Sequence, residues 1–460
     1  MIKTKISEIV RIVNGKSENL ELDLEVELTA IIDSRKASEN TFFAAFRGDN
    51  VDGHDYVEQA IKNGAQFALT SKAVNFPHIL VSDVAKALAD LARFNRSQLP
   101  NLKVIGITGS SGKTTTKDLL AHLLSIVGTT VAPSESLNNE LGVPLLILNC
   151  NLDTKYCVVE MGARHRGDIA YLTEIAQPNI GVVLCVGSAH LGEFGSVEGI
   201  AQTKAELITG LPSGSTAILG TYDQFTPKMA ESLNLNVIKF GEKAECDIRA
   251  ADIEFREGRA SFDLVAPSGR ATISLQILGL HQIPNALAAA SVGIALGMSI
   301  ETIAAALSTA ENKSKWRMEL REKAGILLIN DSYNANPESV IAALRTLALL
   351  TQERGGSSWA ILGKMHELGE SSATEHGRVG KIAADIGIDN LIAVGESNYL
   401  NDLKSGDTMA VNLSNKEEVS AYIKYFEPGD VILVKASRAE KFETIATEIE
   451  SALQERGPLE

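Results

Sequence analysis

Apolar residues along this chain fall into short runs with two alternating spacings, and the alternation divides the chain into three blocks. In the first, runs at residues 28–32, 41–46, 67–70 and 78–81 have the length and the β-branched or aromatic content of strands. Residues 56–63 and 84–95 instead place their apolar side chains at helical spacing. The tripeptide LPN at 99–101 breaks both patterns and reads as a linker. In the second block, apolar runs at 104–107, 157–160 and 180–186 alternate with helical stretches, the order expected of a parallel sheet. Beyond residues 217–219 the pattern turns towards strands, at 260–265 and 272–276. An alanine-rich helical run at 285–296 and a shorter one at 303–307 follow. The third block begins near Asn312. Its apolar runs at 326–329, 359–362, 391–394, 409–411 and 431–434 are mostly separated by helical segments at 339–349, 377–385 and 439–453. That order predicts a small doubly wound domain.

The expected fold is therefore α/β in three domains. Residues 1–98 form a small N-terminal α/β domain, 99–312 a central parallel-sheet domain, and 313–460 a C-terminal Rossmann-like doubly wound domain. The 460-residue length agrees, being too great for one ordinary core. A composition of 45% hydrophobic and 22% charged residues is that of a water-soluble globular chain. Acidic residues outnumber basic ones 58 to 43, giving a formal charge of −15, which argues against a general nucleic-acid binder. Cys150, Cys157, Cys185 and Cys246 lie among apolar or strand-like residues without C-x-x-C spacing and read as buried, reduced thiols. The N-terminal MIKTKISEI lacks an apolar signal core, and no apolar run is long enough to span a bilayer. A cytoplasmic enzyme without membrane insertion is the expectation. No G-x-G-x-x-G follows a strand, so a dinucleotide cofactor is not supported.

One run carries chemistry outright. GITGSSGKT at residues 106–114 resembles the phosphate-loop pattern G-x-x-x-x-G-K-[ST], keeping its Gly-Lys-Thr end at 112–114 with Gly106 one position upstream of the pattern's first glycine, and it lies between a strand-like and a helical segment. A Gly/Ser-rich turn is the plain alternative, but strand, loop and helix all agree with a phosphate loop. Gly109, Ser110, Ser111 and Gly112 let successive N–H groups turn inward on phosphate oxygens, and the helix N-terminus adds partial positive charge. Lys113 then reaches the β/γ-phosphates, and the Thr114 hydroxyl can ligate magnesium. The chain is expected to bind a nucleoside triphosphate. Further along, YCVVEMG at 156–162 is an apolar strand ending in Glu160, which a parallel sheet would place at the loop's edge as a magnesium-holding acid. Glu160 alone could equally be a strand-end surface residue. His190 follows the 180–186 run in the same way, but magnesium prefers oxygen, so by spacing it reads as a satisfied polar residue. By spacing alone Lys204 is a solvated helix residue.

Taken together, these motifs resemble the ATP-dependent Mur ligases that build the peptidoglycan precursor, over essentially the whole chain. DSR at 33–35, FFAAFRG at 42–48 and DGHDY at 52–56 are similar to the family's uridine-nucleotide-binding domain, and imply that Ser34 and Arg35 hold the UDP part of the substrate. Residues 108–115, including Thr115, resemble its ATP loop. Glu160, His190 and Lys204 fall on positions that in the family reach the metals, two magnesium ions in this reading, and Lys204 on the lysine that becomes carbamylated. GLHQIPNA at 279–286 resembles an adenine-contacting signature ending on Asn285, with Gln282 in place of the usual Asn. WRME at 316–319 and DSYNANPES at 331–339 imply nucleotide contacts from Arg317 and Asp331, and substrate contacts from Asn334 and Asn336. KASR at 435–438 implies an acceptor site at Lys435 and Ser437, with Ala436 and Ala439 replacing glycines. GKMHELG at 363–369 has Lys364 where the family has an acid, and nothing is carried to it. LNNELGVP at 137–144 and the NANP at 334–337 are carried by the branch that adds D-alanyl-D-alanine.

The resemblance implies an ATP-dependent amide ligase acting as a monomer. Lys113, His190 and Lys204 are its catalytic residues, and UDP-N-acetylmuramoyl-tripeptide and D-alanyl-D-alanine its substrates. The products would be the pentapeptide, ADP and phosphate, formed through an acyl phosphate for peptidoglycan synthesis. A sister ligase using another amino acid and a P-loop regulatory ATPase are the alternatives.

Overall fold

A computed structural model of the chain describes residues 1–48, 51–133, 137–188, 191–311, 314–403 and 408–455. The N-terminal region is built on a five-stranded sheet. Its order is Lys16–Glu18, His78–Leu80, Ala68–Thr70, Thr41–Ala44 and Thr29–Ile31, with all neighbours parallel except the first pair. Phe42 and Phe67 stack at 5.2 Å within it. The Asp83 side chain caps the helix Val84–Ser97, which leaves the sheet and runs towards the centre of the molecule.

That helix bonds directly to the central domain. The Asn95 amide donates to the carbonyls of Ile147 and Cys150, each at 2.9 Å. The buried guanidinium of Arg96 donates to the carbonyls of Ala176, Gln177 and Leu99. Two of these close the helix Asp168–Ala176, whose last carbonyls lack intrahelical partners and carry partial negative charge. Leu99 and Leu102 are buried in a core shared by both domains. Leu99 and Leu102 thus anchor the turn at both ends, while Pro100 and Asn101 between them are exposed.

The central sheet has nine strands. Their order is Gly269–Leu278, Arg259–Ala266, Ile248–Arg256, Asn236–Gly241, Thr216–Gly220, Ile180–Val183, Lys103–Thr108, Tyr156–Glu160 and Thr130–Val131. All pairs are parallel except the two at the Gly269–Leu278 edge. Helices Lys113–Ser125 and Gln282–Ala295 cover one face; Gly142–Leu148, Asp168–Ala176 and Val197–Thr209 cover the other. Because Lys103–Thr108 lies between Tyr156–Glu160 and Ile180–Val183, the ends of all three open at one edge.

The C-terminal sheet runs Glu319–Lys323, Ile326–Asn330, Val431–Lys435, Ser358–Leu362, Asn390–Val394 and Met409–Leu413. Only its first pair is antiparallel. Pro337–Arg354 and Ser372–Asp385 pack on one face and Glu443–Glu455 on the other, the doubly wound arrangement expected.

Three local expectations are corrected. The strand from Ile180 stops at Val183, because Val186 turns away to donate its N–H to the Asp223 carboxylate. The last helix begins at Glu443 rather than 439, since Lys441 sits at φ 54° and breaks the ladder after a 3-10 turn over Arg438–Glu440. Cys150, Cys157 and Cys246 are buried, but Cys185 is only half-buried, at the rim of the phosphate loop. Among the described residues, no helix is long and apolar enough to cross a membrane.

Candidate functional site

The loop after Lys103–Thr108 curls tightly enough that glycine is required. Gly112 has φ +81°, and a Cβ there would lie 2.2 Å from Oδ1 of Asn285. Ser110 is pinned from the neighbouring strand end, where its N–H donates to the Cys185 carbonyl at 3.0 Å and its hydroxyl accepts from Gly187 N at 2.8 Å. Ser111 and Cys185 touch through Oγ and Sγ at 3.4 Å. Lys113 opens the helix Lys113–Ser125 and folds back, donating to the Gly109 carbonyl at 2.8 Å. Burial holds its ammonium below the ordinary lysine range, and the Arg317 guanidinium pushes the same way.

Thr114, one residue on, meets Glu160. Its hydroxyl donates to Oε2 at 3.0 Å, while Oε1 accepts from the Asn138 amide at 2.9 Å. Glu160 is 1% exposed, so the strand-end surface reading does not hold. Arg317 reaches the same hydroxyl from the C-terminal domain, with Nη2 2.9 Å from Thr114 Oγ1. Its guanidinium also lies over the Tyr333 ring at 4.1 Å. Trp316 and Met318, on either side of it, have φ of 59° and 48°. Left-handed backbone on both flanks costs on the order of 1 kcal/mol at each and aims the arginine inward.

Asn285 stands at the other side of the loop. Its Oδ1 accepts from Thr116 at 3.3 Å, and its Nδ2 donates to Gln282 Oε1 at 2.7 Å. Gln282 Nε2 then donates to His281 Nε2 at 2.9 Å. The departure at position 282 thus acquires a place, since the longer Gln orients the Asn285 amide. Its donation also leaves the His281 proton on Nδ1. Burial lowers the His281 pKa to about 4.

Lys204 projects from the helix Val197–Thr209 and is 6% exposed, so the solvated reading is overturned. Its pKa is lowered to about 7, first by burial and then by the nearby charge of Lys113. Among the described residues its amine has no hydrogen-bond partner. His190 lies outside the described residues.

The C-terminal domain closes over this edge. Asn336 Nδ2 donates to the Ser110 carbonyl at 3.4 Å, and Glu338 Oε1 accepts from the Ser188 N–H and hydroxyl at 3.0 and 2.7 Å. Asp331 and Lys435 pair at 2.6 Å, with Lys435 also donating to the Asn334 carbonyl at 2.8 Å. The Ser437 hydroxyl accepts from His366 N at 2.9 Å.

A cavity of about 1040 Å³ between the central and C-terminal domains gathers these groups. Ser110, Ser111, Gly112, Lys113, Thr114, Thr115, Glu160, Lys204, Asn285, Arg317, Asp331, Asn334, Asn336, Lys435 and Ser437 all line it. Ser34 and Arg35 stand apart in the N-terminal domain. There Ser34 donates to Gln59 at 2.9 Å, and Arg35 forms a bidentate pair with Asp33. Sequence reasoning missed the contacts of Asn138, Glu338, Lys117 and Asp118. A signal existed for Lys117, which shares a buried helix stripe with Leu120 and Leu124 at spacings of three and seven.

Three family descriptions match the chain in tandem. They are the "Mur ligase family, catalytic domain" over 30–107, the "Mur ligase middle domain" over 107–293 and the "Mur ligase, glutamate ligase domain" over 316–438. The UDP-N-acetylmuramoyl-tripeptide--D-alanyl-D-alanine ligase of Mycobacterium bovis is 38% identical, over 95% of this chain and 96% of its own. The Escherichia coli enzyme of the same name is 32% identical, over 99% and 100%. A crystal structure of MurF from Acinetobacter baumannii superposes with a TM-score of 0.88 at 32% identity, covering 98% of this chain and 99% of that one. MurF ligase from Thermotoga maritima in complex with ADP gives 0.80 at 32%, covering 94% and 99%. With relatives this similar along nearly the full length of both chains, the chain belongs to the Mur ligase family.

Proposed function

We propose that this chain joins D-alanyl-D-alanine to UDP-N-acetylmuramoyl-tripeptide with consumption of ATP, releasing UDP-N-acetylmuramoyl-pentapeptide, ADP and phosphate. The observation that carries this reading is the closure of a phosphate loop by a second domain. Arg317 on Thr114 and Asn336 on Ser110 bring both domains to one cavity. A site assembled from two bodies suits the meeting of a nucleotide, an acid and an amine.

A carboxylate is a poor partner for an amine, because oxide would have to leave. Transfer of the γ-phosphoryl group to the carboxylate oxygen breaks the β,γ-bridging P–O bond and releases ADP. The dipeptide's neutral amine then attacks the acyl carbon, its surplus proton is lost, and inorganic phosphate leaves with the former carboxylate oxygen. Lys113 and the loop N–H groups stabilise charge on the transferring phosphoryl group. Asn285, held by Gln282, is read as the adenine contact, and Arg317 as a contact of the nucleotide's ribose or phosphates. Closure of the C-terminal domain keeps water from the acyl phosphate.

The donor set fits magnesium. A hydroxyl and a carboxylate at 3.0 Å, Thr114 and Glu160, are the oxygen ligands this ion prefers. Bound there with ATP, magnesium would neutralise phosphate charge. A second ion would fall to His190 and Lys204. Lys204 supports a carbamylated reading, because an amine with a pKa of about 7 and no described partner is substantially neutral at physiological pH and open to carbon dioxide. As a carbamate it would be anionic, relieving the repulsion with Lys113. Ser34 and Arg35 are read as uridine-nucleotide contacts of the N-terminal domain.

The deciding experiment is mass spectrometry of the product formed from ATP, UDP-N-acetylmuramoyl-tripeptide and D-alanyl-D-alanine. Pentapeptide that appears only with all three supports the reading. ATP hydrolysis at the same rate without the acid and the amine defeats it.

A further inference from the structure

The helix that follows the phosphate loop carries a charge pair with no part in the chemistry above. Lys117 is 0% exposed. Its ammonium donates to the Pro133 carbonyl at 2.7 Å and lies 2.8 Å from Asp118 Oδ1. Asp118 Oδ2 accepts from the Ser314 hydroxyl at 2.6 Å. Consecutive helix residues diverge, so this pair forms only because the lysine stem curls back, and it is no device for stabilising the helix. Burying an ammonium is costly even when it is paired, and a methionine would fill the same space without that cost.

The segments that the pair grips indicate its use. Pro133 precedes by five residues Asn138, the donor to Glu160 Oε1. Ser314 precedes by three residues Arg317, the donor to the Thr114 hydroxyl. Both segments therefore converge on one hydroxyl–carboxylate corner, a single helical turn from the pair that anchors them. The geometry points to Lys117 and Asp118 as a positioning pair, which ties the 133 and 314 segments to the phosphate-loop helix and so sets Asn138 and Arg317 on Glu160 and Thr114. Neither residue touches substrate. The inference deepens the ATP-ligase reading and rests on it for its kinetic arm.

The test uses the full chain with two readouts, calorimetric binding of ADP with magnesium and steady-state kinetics. Ser314→Ala removes one hydroxyl and Asp118→Asn one charge. Each is expected to weaken ADP binding about tenfold and to lower kcat, with KM for the uridine substrate and the dipeptide within about twofold of wild type. Ser314→Ala placed on Arg317→Ala adds no further loss, because the serine acts through the arginine. Lys117→Arg, which can still reach the Pro133 carbonyl, recovers most of what Lys117→Met loses. Should Lys117→Met fail to fold, Ser314→Ala decides. Additive losses in the double variant overturn the assignment, as does unchanged ADP binding and kcat in folded Ser314→Ala and Asp118→Asn proteins. Since ADP binding needs no acceptor, a wild type that binds ADP yet makes no amide product defeats the ligase reading and leaves the pair to be judged by the binding arm.

Discussion

The hydroxyl of Thr114 and the carboxylate of Glu160 meet at 3.0 Å although 46 residues separate them in the chain. The parallel register makes this meeting, since Ile107 pairs with Glu160 and both strands end at the same edge. Glu160→Gln keeps acceptors and shape but removes the charge. We expect kcat to fall by about 100-fold or more, with little change in Tm, because the anionic oxygen that would hold magnesium beside the phosphates is lost. Thr114→Val should behave alike. Phosphate release measured against magnesium concentration checks both, and a Glu160→Gln enzyme with wild-type kcat would remove this residue from the metal corner.

The phosphate loop was legible because phosphate geometry dictates its spacing, and Gly112 illustrates the constraint with its positive φ and its approach to Asn285. The sheets were legible for a similar reason, since buried parallel strands such as Ile180–Val183 are apolar on both faces. Contacts between distant segments were not. Arg317 and Thr114 are 203 residues apart, and Asn138 reaches Glu160 across 22. No periodicity records such meetings, and the family resemblance supplied Arg317 but not Asn138. Residues 99–101 read as a linker in the sequence, but a Pro-Asn turn alone does not reveal that Leu99 and Leu102 are buried on either side of it.

The buried amine of Lys204 links pH to both stability and activity. Its folded pKa of about 7 lies below the unfolded value of 10.5, so between those pH values the unfolded chain binds more protons. Stability therefore rises with pH across that window, and the cost of burial is fully present below pH 7. In carbonate-free buffer, Lys204→Met should be more stable than wild type, by a margin that is largest below pH 7 and shrinks towards pH 10. Activity of the wild type should fall as pH drops through about 7, and bicarbonate should raise it. Thermal melts across pH, with and without bicarbonate, provide the check. A bicarbonate-independent enzyme would rule out the carbamate.

His281 predicts an acid limb. The Nδ1 atom is buried and finds no partner among the described residues, and the ring pKa is lowered from 6.5 to about 4 by burial. The unfolded chain binds the extra proton first, so stability is lost as pH falls from about 6.5 towards 4, by on the order of 3 kcal/mol. Protonation would also set two N–H donors against the Gln282 amide and disturb Asn285. We expect His281→Gln to flatten the pH dependence of urea unfolding in that window. An unchanged slope would mean that another group titrates there.

The ion pair between Asp331 and Lys435 should respond asymmetrically to the loss of each partner. Lys435 is 2% exposed and its ammonium depends on Asp331 Oδ2 at 2.6 Å, whereas Asp331 faces the cavity and has a second acceptor use, the Met318 N–H at 3.1 Å. Asp331→Ala strands a buried cation and should cost about 3–5 kcal/mol. Lys435→Met leaves a carboxylate that cavity water can solvate, and should cost less. The double variant should recover much of the Asp331→Ala loss, since no unpaired charge remains. The Met318 bond adds a kinetic signature, because it holds the left-handed backbone that aims Arg317. Asp331→Ala should therefore raise KM for ATP, while Lys435→Met should spare it. Urea unfolding of the three variants, together with ATP saturation curves, separates the two effects. Equal stability losses in the single variants would show that the pair is solvated as a unit rather than buried from one side.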